Sequence, residues 1–262
     1  MVAPVRFHDL GSGPPLLLVH GGFSDGSGAW AAQMESLRRH HRLLVPDRRG
    51  HGASPKEPRP YTIRGDALDM LDVATRAGGG SFHLAGHSYG GLVALEAAIL
   101  APERILSLHL IEPPYLALLP CDPDVRALNG EVRHVMEQGQ ERGPEWAATM
   151  FFRAIAGAAA VERLSRSRRW PDIVGEGERI LYEEYAGDYP RDRVGRLRVR
   201  GPVQIYTGSN SHPALRKLAA RLSKLIEQAR LLEIPRAGHA VQVAGEPFDR
   251  ELLAGTASKG LD

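Results

Sequence analysis

At 262 residues and 43% hydrophobic composition, the chain is long enough to bury one large core and stands far from the disordered class. A formal net charge of +2 on a charged fraction of 24%, with no long run of one sign, gives no case for a nucleic-acid partner. Cys121 is the only cysteine, so no intrachain disulfide can form and nothing requires an oxidising compartment.

The stretch from Met1 to Asp9 lacks the long apolar run of a signal peptide, and no segment approaches membrane-spanning length; the expectation is a cytoplasmic protein with no membrane partner. Val5 to Leu10 alternates weakly and ends in Gly11-Ser12-Gly13-Pro14-Pro15, a turn by its chemistry. Leu16-Leu17-Leu18-Val19 then runs apolar without alternation, as a strand covered on both faces does. It stops at His20-Gly21-Gly22-Phe23, where consecutive glycines let a backbone N–H approach a bound oxygen, with Gly22 or Phe23 as donor. Ser27 to Arg39 reads as a helix with Trp30, Met34 and Leu37 on one stripe. A strand at Arg42 to Pro46 leads into the turn-rich loop Asp47-Arg48-Arg49-Gly50-His51-Gly52-Ala53-Ser54, and Ile63 to Ala77 reads as a helix ended by Gly78-Gly79-Gly80.

The next stretch, Ser81-Phe82-His83-Leu84-Ala85-Gly86-His87-Ser88-Tyr89-Gly90-Gly91, is a short apolar strand, a glycine-flanked serine and the start of a helix rich in Ala and Leu. That pattern predicts a nucleophile elbow: a serine forced into a strained turn, with Gly86 and Gly90 where a Cβ would collide. The strain lifts the Ser88 hydroxyl out of the sheet and leaves helix N-terminal N–H groups, that of Tyr89 first, free to face a developing negative charge.

After that helix, Ile105 to Ile111 forms another apolar strand ending at Glu112-Pro113-Pro114. Strands alternating with helices at this spacing predict an α/β fold with a doubly wound, mostly parallel sheet, in which ligands gather at the strand C-terminal ends; His20, Ser88 and Glu112 all fall there. From Pro113 to about Val199 the alternation stops. Helical pieces at Val125 to Gln140, Pro144 to Ala156 and Glu176 to Tyr185 suggest a helical cap inserted at 113–199 into a core of 1–112 and 200–262. Its aromatic residues are mostly cap core, with Trp146 and Phe151 expected to reach a substrate. The scattered arginines between 163 and 200 read as a solvated face. The sheet resumes at Pro202 to Gly208, followed by a helix from about Ala214 to Gln228, a strand at Arg230 to Ile234, the loop Pro235-Arg236-Ala237-Gly238-His239-Ala240 and an amphipathic piece at Pro247 to Leu253.

Taken together, these residues resemble the α/β-hydrolase fold superfamily, as a serine-nucleophile member with a helical lid, over essentially the whole chain. His20-Gly21-Gly22 resembles its oxyanion-hole loop, Asp47 to Gly52 its turn after the following strand, Gly86-His87-Ser88-Tyr89-Gly90 its elbow and Gly238-His239 the loop of its catalytic histidine. In most relatives an acid follows the strand that here ends at Gly208, but this chain offers Ser209, Asn210 and Ser211 there. Some members take the acid from the end of the strand before the lid, where this chain has Glu112, with Asn210 as the alternative partner of His239. The histidine needs an acceptor for one N–H while its other nitrogen faces the serine, and a carboxylate also stabilises the imidazolium that forms.

The resemblance implies a serine esterase with Ser88, His239 and Glu112 as catalytic residues and an oxyanion hole from Tyr89 with Gly22 or Phe23. His20 and His87, in the motif loops, are expected near the substrate in hydrogen-bonding roles. The only partner implied is a small, apolar or aromatic molecule. No organic cofactor is expected, and the histidines lack metal-ligand spacing. Two other readings stay open at this point: a biosynthetic tailoring enzyme performing acyl transfer, elimination or cyclisation on the same fold, and a binding protein that keeps the pocket without turnover.

Overall fold

The computed structural model describes residues 3–57 and 59–257. Met1 and Val2, the first residues of the Met1 to Asp9 stretch read above, lie outside them. In chain order the elements are β1 (Phe7–Leu10), β2 (Pro15–Val19), α1 (Gly26–Ser36), β3 (Arg42–Pro46), α2 (Ile63–Arg76), β4 (Phe82–His87), α3 (Tyr89–Leu100) and β5 (Ile105–Ile111). Four further helices follow, α4 (Pro123–Arg142), α5 (Pro144–Ala156), α6 (Ala158–Ser165) and α7 (Trp170–Ile180). The chain then returns to the sheet with β6 (Val203–Gly208), α8 (Pro213–Leu225), β7 (Ala229–Ile234) and α9 (Glu246–Thr256).

The seven strands make one sheet in the order β1-β3-β2-β4-β5-β6-β7, parallel throughout except for the antiparallel edge pair β1 and β3. Helices cover both faces, which is why β2 carries four consecutive aliphatic residues. Leu17 and Val19 join a core with Leu92 and Val93 of α3, whereas Leu16 and Leu18 join the opposite core with Trp30 of α1 and Phe248 of α9. All four are fully buried. Two buried faces leave no polar register for a strand to slip into.

The insertion differs from its expected outline. A helix expected at Glu176 to Tyr185 is instead α7, which starts at Trp170 with Pro171 in its first turn and ends at Ile180. Gly175 and Gly177 look like breakers in sequence, but both sit inside α7, and a Cβ at Gly177 would lie only 3.0 Å from the Phe23 ring. Tight packing selects that glycine. The short α6 is also unanticipated; Gly157, at φ 81°, separates it from α5. Helices α4, α5 and α7 share a small core of Val135, Ala147, Ala148, Trp170, Ile173 and Ile180, into which Phe23 is inserted from the loop after β2.

Across β4, β5 and β6 runs a buried polar chain. His83 Nδ1 lies 2.7 Å from Ser107 Oγ, Ser107 Oγ 2.7 Å from His109 Nε2, and His109 Nδ1 3.0 Å from the Tyr206 hydroxyl. Burial holds the pKa of His83 down to about 4 and that of His109 down to about 3, each lowered further by a neighbouring histidine. These imidazoles are therefore neutral in the folded chain, while in the unfolded chain they accept a proton at 6.5. The stability they confer is complete above that value and is lost as pH falls from 6.5 toward about 3. The urea midpoint is expected to drop steadily across this window, and His109→Gln to flatten the drop; a midpoint independent of pH there contradicts the argument.

Candidate active site

The elbow is built by close backbone approach. A Cβ at Gly86 would lie 2.2 Å from the Gly90 carbonyl oxygen, and one at Gly90 would lie 2.3 Å from that of His20. Neither contact can relax, because both atoms are backbone. Gly86→Ala is accordingly expected to destabilise the chain by at least ~2 kcal/mol, read from urea denaturation, with loss of any activity at Ser88; wild-type stability would show that the elbow has slack. Between these glycines Ser88 takes φ 54°, ψ −126°, and its N–H donates to the Ile111 carbonyl of β5 at 2.8 Å.

Three residues from three strand ends meet at this turn. His239 Nε2 lies 3.0 Å from Ser88 Oγ, and His239 Nδ1 lies 2.7 Å from Glu112 Oε2. Glu112, fully buried at the end of β5, also accepts from Thr207 Oγ1 at 2.7 Å, from the Gly208 N–H at 2.9 Å and from Ser211 Oγ at 2.6 Å. The end of β6 and the loop after it thus supply donors to a carboxylate held by the neighbouring strand. Asn210, the alternative partner, is exposed and donates to the Arg236 carbonyl; it is not brought to the ring. Asp122 and Asp124 pair with Lys217, Asp188 with Arg133 and Asp192 with Arg196, all outside the site.

The loop after β2 runs beside Ser88: a Cβ at Gly21 would lie 2.9 Å from Ser88 Cβ. Among the described residues the backbone N–H groups of Gly22, Phe23 and Tyr89 donate to no protein acceptor. Phe23, at φ 57°, turns its ring into the helical layer, with centroids 4.6 Å from Phe151 and 5.1 Å from Phe152.

Ser88 and His239 open onto a cavity. Its walls are mostly apolar, with Leu128, Val132 and Met136 from α4, Phe151 and Ile155 from α5, and Ile180 from α7. Phe151, expected to reach a substrate, lies on that wall. His20, His87 and Trp146 do not line this cavity, and each has a physical reason. His20 is fully buried, its Nδ1 donating to the Gly21 carbonyl at 2.7 Å and its Nε2 accepting from the Arg48 N–H at 2.9 Å. His87 donates from Nε2 to the His239 carbonyl at 3.0 Å, which ties the elbow to the histidine loop. Burial above all, with His239 adding to it, holds the His87 pKa down to about 3, so the ring stays neutral. Trp146 packs edge-on to His134 within the helical layer.

A group absent from the sequence reading supports the whole arrangement. Arg48, fully buried, donates from Nε to the His20 carbonyl at 3.0 Å and from Nη2 to the Gly21 carbonyl at 3.1 Å. It also pairs with Asp66 of α2 at 2.7 Å and with Glu183, beyond α7, at 2.6 Å. Burial disfavours the guanidinium charge, but Glu183 and Asp66 outweigh it and hold the pKa above the ordinary arginine value. Burial raises Asp66 to about 6 despite Arg48. For Glu183 burial is again the largest influence, yet Arg48 and His51 overcome it and lower the pKa. His51 in turn lies 2.9 Å from Glu176 of α7. Partners 18 and 135 residues apart leave no local trace in sequence.

Among the described residues no cluster of His, Cys, Asp or Glu is arranged to hold a metal ion, and no helix is long and apolar enough to cross a membrane.

Comparisons with known proteins agree with this architecture. The protein assigned as the carbamate hydrolase RutD of Pseudomonas savastanoi pv. phaseolicola is 27% identical over 242 residues, covering 91% of this chain and 92% of that one. A more local match, 37% identical over 114 residues, covers 42% of this chain and 41% of the pimeloyl-[acyl-carrier protein] methyl ester esterase of Nitrosomonas europaea. Among solved structures, a thermophilic esterase from Thermogutta terrifontis superposes with a TM-score of 0.78 at 25% identity, over 97% of this chain and 94% of that one. The sequence profile of the alpha/beta hydrolase fold matches residues 14–246, and with the sheet order and elbow described above it makes this chain a member of the alpha/beta hydrolase fold family.

Proposed function

We propose that this chain is a serine hydrolase that cleaves an ester-type bond, whether carboxylic ester, lactone or related acyl group, of a small substrate with an apolar portion. The observation that carries the reading is the continuous relay from Glu112 through His239 to Ser88, opening on an apolar cavity. The names of the relatives, esterases and a carbamate hydrolase, support the same class.

In this reading His239 Nε2 takes the Ser88 proton as Oγ attacks the substrate carbonyl. Glu112 holds the other ring nitrogen and stabilises the imidazolium. The oxyanion is received by the N–H of Tyr89 and that of Gly22 or Phe23, which have no competing protein acceptor. His239 then protonates the leaving group, and water repeats the cycle to release the acid. Residues 113–199 act as a cap over the 1–112 and 200–262 core, and their apolar side chains exclude bulk water from the acyl-enzyme. The tailoring reading arose because no acid follows β6; Glu112 fills that role from β5, which favours hydrolysis.

The test uses a fluorophosphonate probe and p-nitrophenyl hexanoate. Covalent labelling at Ser88, located by peptide mass spectrometry, together with nitrophenolate release is expected. Failure of both sinks the hydrolase reading, and labelling without turnover of any ester moves the weight to acyl transfer or elimination.

A further inference from the structure

Part of the cavity lining does not match its apolar walls. Glu183 and Glu184, from the segment after α7, line it together with Tyr89. Tyr89 is only 7% exposed, and its hydroxyl has no hydrogen-bond partner among the described residues. Leaving a buried hydroxyl unpaired costs free energy that a bound group can recover.

The carboxylates of Glu183, Asp66 and Glu184 all act on that hydroxyl, as does the guanidinium of Arg48, whose carbon lies 4.7 Å from the centre of the Tyr89 ring. Burial first, and then these carboxylates, keep the phenol neutral at any ordinary pH. Arg48 is already committed to Glu183 and Asp66. Glu184 has no cationic partner among the described residues: its Oε2 accepts the Ile63 N–H at 2.9 Å, at the start of α2, and its Oε1 receives no protein donor. A lining that is mostly apolar but also holds a carboxylate with no ion pair among the described residues and an unpartnered hydroxyl suits an alkyl chain ending in a hydrogen-bond donor, and a cationic donor best.

Resting on the hydrolase reading, we infer that the preferred substrate is an ester whose apolar acyl chain carries a protonated amine at its far end, which donates to the Glu184 carboxylate and the Tyr89 hydroxyl. The carboxylate replaces water around the ammonium group, and the phenol oxygen accepts a second N–H. An acidic terminus at the same place would meet like charge and is rejected. Glu184 is thus a specificity residue of the substrate's distal end, distinct from the groups at Ser88.

The experiment measures kcat/KM for methyl ω-aminoalkanoates from aminobutanoate to aminooctanoate. Each is compared with the neutral methyl alkanoate of the same length and with the monomethyl ester of the corresponding diacid. At the best length the amine is expected to exceed the neutral ester by roughly ten- to a hundredfold, with the diacid ester poorest, as one charge-assisted hydrogen bond permits. Glu184→Gln keeps an acceptor for the Ile63 N–H but removes the charge, and the amine-to-neutral ratio is expected to fall by about tenfold. Neutral esters turned over with no amine advantage at any length overturn this inference and leave the hydrolase reading standing. If no ester is turned over, the hydrolase reading falls, and calorimetry on the wild-type chain decides the inference: hexylamine must bind more tightly than hexanol and hexanoate, and equal or weaker binding overturns it.

Discussion

Ser88→Ala and His239→Ala are each expected to lower kcat on an ester substrate by a factor on the order of 10⁶, and the double variant by no more than either alone, because the two side chains act as one unit. Glu112→Gln is the sharper experiment. The amide keeps the size of the side chain and one acceptor oxygen, but it places N–H donors where Ser211 and His239 now donate. Either the ring adopts the wrong tautomer or the network breaks, and the imidazolium loses its counter-charge. The expected loss in kcat is on the order of 10⁴-fold, with KM little changed. Asn210→Ala leaves the rate near the wild-type value, since its amide donates only to the Arg236 carbonyl. A near-normal rate for Glu112→Gln beside a collapse for Asn210→Ala reverses the assignment of the acid.

Arg48→Met is expected to be the most damaging substitution outside the reacting groups. Methionine fills much of the volume but strands Asp66 and Glu183 without a cation, in a place where both are almost inaccessible to water. Breaking a buried ion pair from one side typically costs ~3–5 kcal/mol, which urea denaturation reads directly. Neutralising the orphans as well, with Asp66→Asn and Glu183→Gln, is expected to restore part of that loss, since the penalty comes from unpaired charge. Activity is expected to fall further than stability alone explains, because Arg48 also holds the His20 and Gly21 carbonyls of the loop beside Ser88. A stability within ~1 kcal/mol of wild type would mean that the pocket around Arg48 relaxes or admits water.

What sequence makes legible here is what is local. The strands are short apolar runs with breakers at each end, so β3 and β5 are bounded correctly from composition alone. The elbow is legible because its serine and both flanking glycines fall within five consecutive residues, although the carbonyl that demands Gly90 comes from His20. Glu112 and His239 are legible because both sit just beyond a strand, on the edge where a parallel sheet collects its ligands. The rest is not local. His20 and His87 look like substrate contacts because they sit in the right loops; their ring nitrogens are instead committed to Gly21, Arg48 and His239. The end of α7 at Ile180 is fixed by Tyr61, which pairs with Glu183 across the fold. No window around residue 180 contains that fact. Arg48 and Glu184 matter only through partners contributed by distant segments.

Among the described residues four non-glycine residues adopt positive φ, and three of them are Phe23, Ser88 and Glu112, at 57°, 54° and 43°. Each such conformation opposes folding by ~1–3 kcal/mol, held in place by the surrounding packing. Phe23 and Glu112 are held by the core they fill and the donors they satisfy, so laboratory evolution for heat resistance that ignores turnover would find its easiest gain at Ser88, with glycine as the first replacement selected. Hardened descendants of this chain would be recognisable by sequencing: they would carry their beneficial changes where the parent does its chemistry.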